Sequence, residues 1–133
     1  MKQALQAIEI AANPKIRFDV ILGNKKITIR EGHRDYHPGP VVLFSHIFPW
    51  AMKATITSVR HTTVGEVTEE EFWADSYENR VEMLADLRQF YPELTMKSPV
   101  TVICWEISNE GFYKDIDNVY AFAEENGLDT TGI

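Results

Sequence analysis

Apolar and polar residues alternate from Lys26 to Arg30, with Ile27 and Ile29 on one side and Lys26, Thr28 and Arg30 on the other. Period two predicts a half-buried strand. Just before it, Asn13-Pro14 is a helix-start signal, and Pro14 to Leu22 places Ile16 and Val20 on an inward face. Gly23 is suited to end that helix in the left-handed conformation. Residues 3–12 have helical composition. After the strand, His33 to Pro40 reads as a loop closing on the turn-rich His37-Pro38-Gly39-Pro40. Val41 to His46 is an apolar strand, Pro49 breaks it, and Ala51 to Arg60 is a second strand rich in Thr and Val. The two pair as a hairpin in this reading, with Trp50 in the connecting loop.

The second half changes period. Thr68-Glu69-Glu70-Glu71 matches a capping box, and a further helix follows over about Glu78 to Phe90, with Val81, Leu84, Leu87 and Tyr91 on one stripe. Pro92 ends it. Val100 to Ile107 is apolar on both faces except at Glu106, which predicts an interior strand. Ile116, Val119, Tyr120 and Ala123 mark a C-terminal helix closed by Gly127. The pattern predicts one domain over 1–133, of class α+β, with a small curved sheet or open barrel flanked by helices.

Composition narrows the class. The 44% hydrophobic and 25% charged residues are ordinary for a globular chain. No run reaches the roughly 18 apolar residues of a membrane span, so no membrane partner is expected. The N-terminus carries Glu9 and lacks a signal-peptide core, and the single cysteine, Cys104, excludes an internal disulfide. Both point to a cytoplasmic protein. Cys104 reads as a small buried hydrophobe. His33, His37, His46 and His61 match no metal-site spacing, so no metal and no cofactor are expected.

Charge is unevenly spread. The chain is −7 overall, yet residues 15–34 carry Lys15, Arg17, Lys25, Lys26, Arg30 and Arg34 against Asp19 and Glu31, while residues 66–94 hold nine acids against Arg80 and Arg88. A positive site on an acidic body suits a small polar ligand better than a long duplex. Strand geometry puts Lys26, Thr28 and Arg30 on one face; Lys25 joins Thr28 only if it sits in the turn after Gly23, before the strand becomes regular.

The segments FDVILGNKKITIR, TEEEFWADSYENRVEMLADLRQFYP and VTVICWEI together resemble the ASCH-domain family, and more narrowly its small bacterial amidohydrolase branch acting on N4-acetylcytidine. The likeness spans about residues 16–107 and leaves 108–133 as a helical extension. It implies a PUA-like β-barrel flanked by helices, with a positively lined cleft. The branch uses a lysine, a threonine and a glutamate; these fall on Lys25, Thr28 and Asp75, an aspartate one methylene shorter. The implied roles are a hydroxyl nucleophile at Thr28, a lysine base, and a carboxylate that orients the lysine or handles water. Lys26 and Arg30 are then substrate-binding residues, and Trp50 is the best placed tryptophan to stack a base.

Competing structural roles are visible in the same residues. Asp75-x-x-Glu78 is itself a capping-box pattern, which would make Asp75 the N-cap of the second helix. Glu71 belongs to the Thr68 box. Glu106 reads as a buried carboxylate paired with Arg30. Trp73 and Trp105 default to core packing. The alternative functions are an RNA-binding module holding short single-stranded RNA, and a metal-dependent ribonuclease.

Overall fold

The computed structural model describes residues 3–10, 14–45, 50–113 and 128–129. Its elements are β1 (Gln3–Ala4), β2 (Gln6–Glu9), α1 (Pro14–Ile21), β3 (Ile27–Glu31), β4 (Gly39–Ser45), β5 (Trp50–Thr63), a 3-10 turn (Val64–Glu66), α2 (Glu69–Ala74), α3 (Arg80–Leu87), β6 (Pro99–Tyr113) and β7 (Leu128–Asp129). The class is α+β: a curled five-stranded sheet in the order β2-β4-β5-β6-β3, with helices packed on it. β1 and β7 form a separate parallel pair. No helix among the described residues is long and apolar enough to cross a membrane. The predicted C-terminal helix with Gly127, and His46, lie outside the described residues.

β6 is the shared wall of two cores. Ile103 and Trp105 point into one cluster with Ile8, Val41, Leu43 and Ile56. Val100 and Val102 point into the other, with Ile27, Ile29, Phe72, Met83, Leu84 and Leu87. This is strand alternation used on both sides, and it explains why the sequence is apolar on both faces there. β6 is antiparallel to β5 and to β3, so it is interior as expected.

Three sequence expectations are corrected. Residues 3–9 form strands, not a helix: Gln6 and Ile8 alternate inward and β2 pairs in parallel with β4, so sheet pairing overrides local composition. Trp50 opens β5 opposite Ser45 rather than lying in the hairpin loop. Val81 is 71% exposed. Met83, Leu84 and Leu87 define the buried face of α3, and at 3.6 residues per turn Val81 lies about 110° away from its centre.

Candidate functional site

Everything at the site starts from how α1 hands over to β3. Gly23 adopts φ 77°, the left-handed value that lets the helix close with its amide on the Val20 carbonyl at 3.1 Å. The amides of Asn24 and Lys25 both donate to the Asp19 carbonyl, at 2.8 and 3.0 Å. Lys25 is thereby held in the turn, and β3 becomes regular only at Ile27. The parity conflict between Lys25 and Thr28 is resolved, because the two residues do not share one regular strand.

Along β3, Ile27 and Ile29 are each 3% exposed and enter the second core, while Thr28 and Arg30 face the other way. That side opens on a cleft of about 930 Å³ between β2, α1, β3 and α3. Lys25, Thr28, Arg30 and Asp75 all line it. Among the described residues β2 and β3 are the two end strands of the curled sheet, and Arg30 links them: its Nη2 donates to the Glu9 carbonyl at 2.6 Å. Its Nε donates to Thr28 Oγ1 at 3.0 Å, which orients the hydroxyl.

The lysine and the carboxylate meet across 50 residues of sequence. Lys25 Nζ donates to Asp75 Oδ1 and to the Ile27 carbonyl, the latter at 2.7 Å. The shorter side chain of aspartate therefore still reaches the lysine. The side chains of Lys25 and Asp75 are 19% and 8% exposed, so this is a largely buried pair even though Lys25 sits in a turn. Burial pushes the Asp75 carboxyl above its ordinary pKa; the Lys25 charge and hydrogen bond, and more weakly Arg30, pull the other way without cancelling it.

Asp75 is not the N-cap of the second helix. It is the C-cap residue of α2, and the cap of α3 is Asn79, whose side chain accepts from the Glu82 amide at 2.8 Å. Glu71 is tied up elsewhere: it closes the Thr68 capping box and takes both Arg60 Nε, at 3.0 Å, and Nη2. Glu106 is exposed and pairs with Lys26 at 3.0 Å, so the Arg30–Glu106 pairing is overturned. Lys26 points to that exposed pair and does not line the cleft. Trp50 lies in β5, with its side chain outside the described residues. Trp105 is core at 1% exposure, and Trp73 is 56% exposed.

Sequence reasoning missed one wall altogether. Glu82, Ala85, Asp86, Gln89 and Phe90 recur at helical spacing and line the cleft from α3 and the turn after it. In the sequence, Glu82, Asp86 and Gln89 form a polar stripe at i, i+4 and i+7 that reads as the ordinary solvent face of an amphipathic helix. Tyr77 adds to this wall, donating its hydroxyl to Asp86 Oδ2. Burial, followed by that hydrogen bond, raises the Tyr77 phenol well above its usual pKa, so it remains a donor.

Chemically, the cleft offers a hydroxyl oriented by a guanidinium, an amine in contact with a buried carboxyl, and a polar wall ending in an exposed aromatic ring. No family model, curated protein or solved structure matches the chain.

Proposed function

We propose that this chain is an ASCH-type, PUA-like amidohydrolase that removes an acyl group from the N4 position of an acylated cytidine such as N4-acetylcytidine, without a metal. One observation carries the reading: Lys25 Nζ contacts the buried Asp75 carboxyl in the same cleft that Thr28 and Arg30 line. The resemblance in sequence names these residues independently of their meeting in space, and the curled sheet with flanking helices suits a PUA-like barrel.

The chemistry follows from the contacts. The burial that raises Asp75's pKa makes its carboxylate a better acceptor for the proton of the Lys25 ammonium. With that proton on Asp75, Lys25 Nζ holds a lone pair and serves as base. Thr28 Oγ1 gives its proton to Lys25 Nζ and attacks the acyl carbon, and Arg30 stabilises the negative charge that develops. Collapse of the tetrahedral intermediate breaks the C–N bond, and the amine nitrogen of cytidine takes the proton from Lys25. Water then hydrolyses the acyl-threonine by the same base. Arg30's hydrogen bond to Thr28 Oγ1 fixes the attack geometry, where a displacement of about 1 Å costs on the order of a hundredfold in rate.

Charge in the cleft also bears on the choice. Five of its lining side chains are acidic (Glu9, Asp19, Asp75, Glu82 and Asp86) and three are basic (Lys15, Lys25 and Arg30). The lining is therefore not the positive one that the resemblance implies, and it favours a neutral ligand over a polyphosphate backbone. Incubation of the purified chain with N4-acetylcytidine, with and without EDTA, tests the proposal. Equal cytidine release in both supports it. Absence of cytidine, together with salt-sensitive binding of short single-stranded RNA, would replace it with the RNA-binding reading.

A further inference from the structure

The α3 wall of the cleft has no part in the chemistry above, yet it is built for contact. Asp86 is half-buried, and among the described residues no lysine or arginine pairs with it. A carboxylate withdrawn from water needs donors in compensation, and the protein supplies one, the Tyr77 hydroxyl on Oδ2. Tyr77 thereby fixes the orientation of an acceptor that faces the cleft. One turn further along, Phe90 is 63% exposed while lining the same cavity. Its backbone is held by the bond from its amide to the Leu87 carbonyl, at 3.1 Å. An exposed ring inside a cleft is a stacking surface, and such a surface is tolerant of which planar base it meets. The volume of about 930 Å³ is at the upper end for small-molecule sites and leaves room for more than one ring.

We propose that this wall selects a nucleoside over a free base: Phe90 stacks on the planar heterocycle, and Asp86, held by Tyr77, accepts hydrogen bonds from the sugar hydroxyls. The inference rests on the amidohydrolase reading for its substrate but on different residues. A hydrogen-bonding acceptor discriminates sharply against a ligand that lacks the matching donor, because the acceptor is then left unsatisfied. A stacking ring discriminates by planarity alone.

The two contributions separate in one experiment. Deacetylation of N4-acetylcytidine and of N4-acetylcytosine is measured for the wild type, Asp86→Ala, Asp86→Asn, Phe90→Ala and Phe90→Tyr, with melting temperatures alongside. Asp86→Ala is expected to reduce the nucleoside-to-base ratio of kcat/KM at least tenfold, mainly through KM, with Asp86→Asn intermediate. Phe90→Ala is expected to lower kcat/KM on both substrates by similar factors of tenfold or more, and Phe90→Tyr to restore it. An unchanged ratio in both Asp86 variants overturns the sugar contact and leaves Asp86 acting only through its neighbour Asp75. Full activity in Phe90→Ala overturns the stacking. If the wild type hydrolyses neither substrate, the amidohydrolase reading has failed, and calorimetric binding of cytidine against cytosine decides the present one. Tighter cytidine binding that Asp86→Ala equalises sustains it; equal or absent binding by the wild type overturns it.

Discussion

Two cation–carboxylate pairs take their acids from α2 and its C-cap, and they differ in what their surroundings do to the acid. Outside the cleft, Arg60 grips Glu71 with its Nε and Nη2. Burial alone would raise the Glu71 carboxyl, but the Arg60 hydrogen bond and the Thr68 amide outweigh it and hold the pKa below its ordinary value. In the cleft, Lys25 makes a single contact to Asp75, and there burial wins, so the carboxyl is raised. Two hydrogen bonds from a planar guanidinium plus a capping amide satisfy a carboxylate that one ammonium leaves partly uncompensated. The first arrangement suits a structural clamp. The second leaves a buried carboxyl with one ammonium contact in the cleft, which is the arrangement the proposed base chemistry draws on.

The contrast is broken most severely by removing one partner from each pair. Lys25→Ala leaves Asp75 buried without its cation and should cost about 3–5 kcal/mol in urea unfolding, besides abolishing deacetylation. Arg60→Ala, at a side chain 43% exposed, should cost about 0.2–1 kcal/mol and leave turnover near the wild-type value. Equal losses would mean that the two pairs do not differ as described.

A smaller effect separates them by the sign of their pH dependence. Asp75's folded pKa lies above its unfolded value, so its contribution is fully present below the unfolded value and is lost as pH rises through the raised one. Glu71's folded pKa is lowered, so its contribution is present above the unfolded value and is lost as pH falls through the folded one. Urea midpoints across the acid range should show the wild type losing ground to Asp75→Asn as pH rises and gaining on Glu71→Gln. Slopes of the same sign would remove the distinction. The smallest effect belongs to Lys26→Ala, which removes only an exposed pair with Glu106. Stability should change by within about 0.5 kcal/mol, and activity should stay close to that of the wild type.

The legibility of the site in the sequence follows the range of the interactions. Thr28 and Arg30 could be placed on one face because alternation is local, and Gly23 marked the turn that frees Lys25 from strand parity. The Thr68 capping box was visible for the same reason and forms as read. Asp75's partner was legible only through the resemblance, because no periodicity links residues 25 and 75. Glu106 was misjudged: on a strand with apolar faces it looked buried, but its side chain is 60% exposed and within reach of Lys26. The N-terminal strands were lost to composition, since Ala, Gln, Leu and Glu favour helix until β4 offers an edge to pair with. Asp86 and Phe90 went unremarked because their importance comes from facing a cavity, which is defined by elements distant in sequence.

The central claim is that the Thr28 hydroxyl, in a cleft with the Lys25–Asp75 pair, performs amide hydrolysis. Thr28→Val keeps the branched shape at a position 6% exposed and removes only the oxygen that Arg30 Nε contacts at 3.0 Å. The decisive measurement is cytidine release from N4-acetylcytidine by the wild type and by Thr28→Val, each checked for an unchanged fold by circular dichroism. The account predicts multiple turnovers by the wild type and none by the folded variant. Equal rates in both proteins, or no cytidine from the wild type even at stoichiometric enzyme, would contradict it.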